Sequence, residues 1–219
     1  MKPVSEFCRM QLLVIAATAG ELQDRGIISQ YADIAITGVG VPATLYNLLQ
    51  FLQQKKYDLV VQAGIAGSFS PQYSPGTVVM VQQDCFADLG MEEAGQFTSI
   101  YQTAFSDKNE FPFTNGWLIN TTMLTGTNHL PLVKGITVNT VTDDTGRLQQ
   151  LQQHFAPDIE TMEGAALHYA CLRQKIPFVQ LRSISNKVGV RDKSQWKIPE
   201  AVDCLNTALV PLLEQLKSH

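Results

Sequence analysis

Residues 58–67 have the sequence DLVVQAGIAG, in which an apolar run passes directly into a segment of glycine and alanine. A short, continuous run of aliphatic residues is typical of a strand buried on both faces. The small residues from Ala63 to Gly67 predict a tight turn after that strand, where backbone amides can approach a ligand closely. This arrangement is typical of a parallel sheet that binds ligands at the carboxyl ends of its strands.

Similar apolar runs and amphipathic segments alternate on both sides of this stretch. Further strands are predicted at residues 12–16, 34–36, 77–81, 135–141 and 178–183. Apolar residues at helical spacing predict helices at 42–56, 145–154, 162–175 and 199–217. The alternation predicts a single α/β domain over residues 1–219, a three-layer α/β/α sandwich with a mixed, mostly parallel central sheet. Residues 84–130 are the least regular part.

Charge and hydrophobicity exclude several classes of partner. The 219 residues carry 16 Lys and Arg against 20 Asp and Glu, for a net charge of −4. Nucleic-acid and anionic-membrane binders normally show a basic surplus, so neither partner is expected. No apolar run approaches the roughly 20 residues of a membrane span, and residues 1–10 lack the apolar core of a secretion signal. We therefore expect a cytoplasmic protein whose partner is a small molecule or another protein.

The spacing of cysteine, histidine and glycine predicts neither a metal nor a cofactor. Cys8, Cys85, Cys171 and Cys204 form no C-x-x-C pair, and no histidines follow an H-E-x-x-H pattern. The glycine segment matches neither the dinucleotide fingerprint nor the P-loop. Ser68 lacks the G-x-S-x-G context of a serine hydrolase.

Four segments place polar or glycine residues at predicted strand ends, namely 17–22, 64–68, 160–166 and 182–187. Each also has a purely structural explanation. Glu21 would complement a helix dipole, and residues 64–68 would form a packing turn. Either Glu160 or Glu163 would cap a helix, which leaves the other carboxylate for another task. Asn186 would bind loop backbone.

In this order and at these separations, the four segments resemble those of the nucleoside phosphorylase and nucleosidase superfamily over nearly the full chain. The phrases FADLGME at 86–92, TVNTV at 137–141 and RSISN at 182–186 are most similar to its futalosine hydrolase branch. ETMEGA at 160–165 is shared in outline by the whole superfamily. The resemblance implies a purine nucleoside substrate. It also implies a homodimer or larger homo-oligomer, with the irregular region 84–130 completing a neighbour's pocket.

The resemblance further implies a role for each matching residue. Glu21 would orient and deprotonate the attacking water, and Met162 and Glu163 would contact the sugar. The other implied contacts are Gly64, Ile65 and Ala66 beneath the sugar, Val141 and Thr142 beside the base, Arg182 and Ser185 in the fourth segment, and Asn186 facing the imidazole side of the purine. These roles agree with the chemistry, because cleavage of an N-glycosidic bond develops positive charge on the sugar and negative charge on the purine.

Asn186 departs from the adenosine-type nucleosidases of the superfamily, which have an aspartate at this position. An asparagine amide can donate to a 6-oxo group while its carbonyl accepts from a protonated N7. We therefore predict a hypoxanthine-type leaving group and the reaction of the futalosine branch, which releases hypoxanthine and dehypoxanthine futalosine in menaquinone biosynthesis. Sparse arginines and the acid at Glu21 favour water over phosphate as nucleophile.

Three alternatives remain open. They are a methylthioadenosine or S-adenosylhomocysteine nucleosidase, a 6-oxopurine nucleoside phosphorylase, and a non-catalytic purine-nucleoside binding protein.

Overall fold

The structure is a computed structural model that describes residues 10–122, 124 and 129–218. Ten strands are present in this part of the chain: β1 Leu12–Ala16, β2 Asp33–Ile36, β3 Leu59–Ser68, β4 Val78–Asp84, β5 Gly90–Glu93, β6 Gln96–Ser99, β7 Leu118–Ile119, β8 Leu132–Thr137, β9 Ile159–Thr161 and β10 Phe178–Lys187. The α-helices of the same residues are α1 Arg25–Ile28, α2 Val41–Gln54, α3 Thr145–Phe155, α4 Gly164–Gln174 and α5 Ile198–Lys217.

Eight strands form one mixed sheet in the order β10-β4-β8-β9-β3-β1-β2, with β7 attached to β4. Most of its pairings are parallel, and the antiparallel ones are β10–β4, β3–β9 and β4–β7. β10 also pairs with β3, so the circuit β3-β10-β4-β8-β9 closes on itself. Strands β5 and β6 form a separate hairpin.

Helices cover both faces of the open part of the sheet. Alternate residues of β1 point to opposite sides, as expected for a strand. Leu12 and Val14 pack in one apolar cluster with Leu205 and Leu209 of α5. Leu13 and Ile15 join a second cluster with residues of α2 and α4. The predicted α/β class with a mixed, mostly parallel sheet between helical layers is confirmed.

Several of the predicted element boundaries are wrong. β3 continues through Ser68, so the turn expected at Ala63–Gly67 is strand. β8 ends at Thr137, which leaves residues 138–141 outside any strand, and α4 begins at Gly164 rather than at 162. The first error has a physical cause. Glycine and alanine lower strand propensity, but here pairing with strands on both edges outweighs that preference.

No helix among the described residues is long and apolar enough to cross a membrane. Cys85, Cys171 and Cys204 carry free thiols, while Cys8 lies outside the described residues.

Candidate active site

A cavity of about 600 Å³ opens at the carboxyl ends of β1, β3 and β10, beside the end of β9. Nine of the eleven predicted site residues line it: Glu21, Ile65, Ala66, Val141, Thr142, Met162, Glu163, Ser185 and Asn186. The remaining two, Gly64 and Arg182, lie beneath its surface next to these side chains. Tertiary structure therefore brings all four sequence segments to one place.

Glu21 ends a short 3₁₀ turn, Ala19–Glu21, just after β1. Its carboxylate is held at both oxygens, because Oε2 accepts from the Thr18 amide at 2.9 Å and Oε1 from the Ile65 amide at 3.3 Å. The structural explanation holds in part, since Thr18 and Glu21 form a capping box for this turn. The same side chain also lines the cavity and is only 8% exposed. Glu21 is thus a preoriented carboxylate on the wall of the cavity.

Arg182 of β10 lies under Glu163 and is 1% exposed. Its Nη1 is 3.7 Å from Glu163 Oε2 and donates to the Ile65 carbonyl at 3.4 Å, while Nη2 donates to Gln62 Oε1 at 2.9 Å. Glu163 Oε1 accepts from the Gly40 amide at 3.0 Å. Glu163 precedes α4 but makes no side-chain cap. Its carboxylate is therefore aimed by a buried cation and a loop amide, and not by the helix.

Glycine is required at position 64 by this arrangement. A Cβ atom there would lie 2.2 Å from Arg182 Nη1 and 3.0 Å from Glu21 Oε1. The first distance is far below van der Waals contact, so a larger residue would displace the guanidinium. Gly64 lets the guanidinium and both carboxylates share a small volume.

A second layer of buried polar groups supports Arg182. The side-chain oxygen of Gln180 accepts a hydrogen bond from Arg182 Nε at 3.2 Å. Its amide nitrogen donates to Asp84 Oδ2 at 3.2 Å and to His168 Nε2 at 2.8 Å. His168 Nδ1 lies 3.0 Å from the Leu118 carbonyl. Burial lowers the pKa of His168 to about 4, so the ring is neutral and Nδ1 donates. Burial also raises the pKa of Asp84 to about 7. The hydrogen bond from Thr137 and the charge of Arg182 lower this pKa but do not cancel the effect of burial.

Asn186 follows a β-bulge in β10 and pairs with Gly67 of β3. Its Oδ1 accepts from Ser185 Oγ at 2.8 Å and its Nδ2 donates to the Lys187 carbonyl at 3.0 Å. The backbone contact expected from the structural explanation is thus present. One amide hydrogen and one lone pair remain for a ligand.

Glu160 of β9 also lines the cavity, although the sequence analysis gave it no defined role. It is 6% exposed, and its Oε2 atom has no hydrogen-bond partner among the described residues. Burial, with a contribution from Asp88, raises the pKa of Glu160 to about 7, while Arg191 opposes that shift. The only sequence signal was its position three residues before Glu163.

Sequence analysis also missed a basic segment at the mouth of the cavity. Arg191, Lys193 and Trp196 line it, and the Arg191 guanidinium lies 5.6 Å from the Trp196 ring centroid. Residues 187–197 include four cations and one acid in a chain of net charge −4, a local excess that could have been noticed. None of the described residues of 84–130 lines this cavity.

The model of the phosphorylase superfamily matches residues 19–214, from the Glu21 turn to near the end of α5. The chain belongs to the phosphorylase superfamily. The family resemblance inferred from the four segments is confirmed.

Several proteins of known or named activity are similar to this phosphorylase-superfamily chain. Futalosine hydrolase of Streptomyces coelicolor is 34% identical over 77% of this chain and 72% of its own length. Futalosine hydrolase of Thermus thermophilus is 29% identical over 82% of this chain and 80% of its own length. A 5′-methylthioadenosine/S-adenosylhomocysteine nucleosidase of Helicobacter pylori shares the fold, with a TM-score of 0.76, 14% identity, and coverage of 96% and 100% of the two chains.

We predict strong energetic coupling between Arg182 and Glu163. Arg182→Met should lower the free energy of unfolding by about 3–5 kcal/mol, because it leaves a buried carboxylate without its cation. Adding Glu163→Gln to that variant should recover about 1–3 kcal/mol. Urea denaturation of the wild type, both single variants and the double variant measures the coupling. Additive losses would contradict the pairing.

Proposed function

We propose that this chain is a nucleosidase that hydrolyses the N-glycosidic bond of futalosine and releases hypoxanthine and dehypoxanthine futalosine. The observation that carries the proposal is the arrangement of the cavity. Two held carboxylates, Glu21 and Glu163, lie at one part of it, and the amide of Asn186 lies at another. Similarity to futalosine hydrolases at 34% and 29% identity supports the same assignment.

The cavity matches the charges that develop as the bond breaks. Glu163 accepts from sugar hydroxyls, Met162 packs on the sugar face, and both lie next to Glu21 on the cavity wall. Glu21 takes a proton from water as the water oxygen attacks the anomeric carbon, which supplies general-base help of roughly 10²–10⁴-fold. The purine leaves with the bonding electron pair, and donors near the base stabilise its charge.

Water is favoured over phosphate as the nucleophile by the state of Arg182. A phosphorolytic site needs cations that are free to bind the anion. Arg182 lies next to the sugar wall, but its guanidinium is already engaged by Glu163, Gln62 and the Ile65 carbonyl. The Glu21 carboxylate beside it would repel phosphate.

The basic segment at the cavity mouth favours futalosine over a methylthioadenosine-type substrate. Futalosine carries a carboxyphenyl group at the end remote from the base, whereas the methylthio group is neutral. Arg191 and Lys193 supply charge for a carboxylate, and Trp196 supplies an aromatic face for the ring.

Chromatographic detection of free base tests the proposed function directly. The chain is incubated with futalosine, inosine and methylthioadenosine, each with and without phosphate. Hypoxanthine release from futalosine that is independent of phosphate is the expected result. Phosphate-dependent release would indicate a phosphorylase, and adenine release from methylthioadenosine with futalosine untouched would indicate the alternative nucleosidase.

Glu21→Gln should reduce kcat on futalosine by at least about 100-fold while leaving binding nearly unchanged, since the amide cannot accept the proton from water. Single-turnover kinetics and calorimetric binding of futalosine measure the two quantities. Glu214→Gln, on the exposed face of α5, is the matched control. Full activity of the Glu21 variant would remove Glu21 from the mechanism.

Arg191→Gln should raise KM for futalosine by about 5–10-fold, because a solvent-accessible charge-assisted contact is worth roughly 1 kcal/mol. Inosine lacks the carboxylate, so its kcat/KM should change less than twofold. Arg173→Gln provides the control, since Arg173 contacts Phe111 away from the cavity. Equal changes in the kinetic constants for futalosine and inosine would show that Arg191 does not bind the carboxylate.

The same proposal includes a homodimer or larger homo-oligomer in the cytoplasm. Large apolar side chains are exposed just before α2 and within it, with Val39 55% and Tyr46 67% exposed. Val39 also lines the cavity, so a second subunit placed there would narrow its mouth. Light scattering should give a mass that is a multiple of 24.2 kDa, and a monomer would contradict this part of the proposal.

A further inference from the structure

Glu160 is a buried carboxylate that the mechanism above does not use. It lies in the middle of β9, lines the cavity, and is 6% exposed. Its Oε2 atom has no hydrogen-bond partner among the described residues. A buried acceptor without a partner costs roughly 1–3 kcal/mol, and more when it is charged. Native structures seldom keep such a group unless a ligand, ion or water supplies the missing donor.

The strand register places Glu160 opposite Asn186 across Gly67. Gly67 pairs with Asn186 of β10 on one edge of β3 and with Glu160 of β9 on the other. Residues paired across neighbouring strands project to the same face, and two strand spacings separate the outer Cα atoms by about 10 Å. The residue between them has no side chain. A Cβ at Gly67 would lie 2.9 Å from Val188 Cγ2 and 3.4 Å from Asn186 Nδ2. The absence of a side chain at Gly67 therefore lets Val188 and Asn186 lie directly against β3, and all three residues line the cavity together with Glu160.

The hydrogen-bonding patterns of the two purine types differ at adjacent atoms. A 6-oxopurine presents an acceptor at O6 next to a donor at N1–H. A 6-aminopurine presents a donor at N6 next to an acceptor at N1. The amide of Asn186 carries both a donor and an acceptor, so it distinguishes the two patterns at position 6 only while its contacts to Ser185 and Lys187 hold it in one orientation. An ionised carboxylate only accepts, so it can suit only the 6-oxopurine at N1.

We propose that Glu160 is a specificity-determining residue, which accepts a hydrogen bond from N1–H of a 6-oxopurine base held in the cavity between Glu160 and Asn186. This inference rests on the proposed nucleosidase function and adds to it the group that distinguishes hypoxanthine from adenine. Burial raises the pKa of Glu160 to about 7. A donor N–H at the carboxylate favours the ionised form and lowers that pKa.

The substitution Glu160→Gln tests the proposal, because a glutamine amide can turn to donate to N1 of adenine. Inosine and adenosine are the substrates, since they differ only at the edge in question. In the variant, kcat/KM on inosine should fall by roughly 10–100-fold, and the inosine-to-adenosine ratio should fall at least about 10-fold. Glu214→Gln should leave the ratio at the wild-type value. An unchanged ratio in Glu160→Gln would overturn the inference.

A wild-type measurement covers the case in which the variant does not fold. The wild-type protein should turn over 1-methylinosine, which has no N1–H, at least about 10-fold less efficiently than inosine. Equal efficiency on 1-methylinosine and inosine would overturn the proposed N1–H contact but would leave the proposed nucleosidase function standing. If the wild type hydrolyses no nucleoside, the proposed function fails by itself. Where the wild type does not turn over inosine, whether or not it hydrolyses futalosine, calorimetry with free hypoxanthine and free adenine decides on Glu160, with tighter hypoxanthine binding expected and equal binding as the contrary result.

Discussion

The site depends on the pairing of one strand on both of its edges. β3 is ten residues long, and its first half pairs with β1 while its last residues pair with β9 on the same edge. β10 pairs along nearly the whole opposite edge. Since β9 carries Glu160 and the end of β10 carries Asn186, the hydrogen bonds of β3 bring together side chains that lie far apart in sequence. Any change that shortened β3 would separate the two walls of the cavity.

A buried ion pair between Arg182 and Glu163 sets the orientation of the Glu163 carboxylate on the cavity wall. Arg182 holds Glu163 from below and is itself held by Gln62 and Gln180. Such an arrangement contributes little net stability, because removing both charges from water costs about as much as their attraction returns. Its value here is positional. Glu163 needs a fixed direction toward the cavity, and a neutral core could not provide one.

Charge is distributed over the cavity in a way that suits one substrate class. The held carboxylates Glu21 and Glu163 line the cavity, Glu160 and Asn186 lie on either side of Gly67, and cations lie at the mouth. Under the proposed function, a purine nucleoside with an anionic group at the end remote from the base is complementary to all three regions. The acidic net charge of the chain gives no indication of this arrangement, since the cations are concentrated in residues 187–197.

The sequence alone determined the fold class, the family and nine residues that line the cavity, because apolar periodicity and short motifs are local properties. Helix ends were predicted closely, as in α3 and α5, where apolar spacing is regular. The glycine-rich end of β3 was predicted wrongly, since strand pairing from distant segments overrides local propensity. Glu160 and Arg191 could not be placed, and Arg182 was expected at the ligand although it lies beneath the cavity. Only the tertiary structure decided these positions, because burial and cross-strand neighbours depend on residues far away in sequence, as with Arg182 and Gln62, which are 120 positions apart.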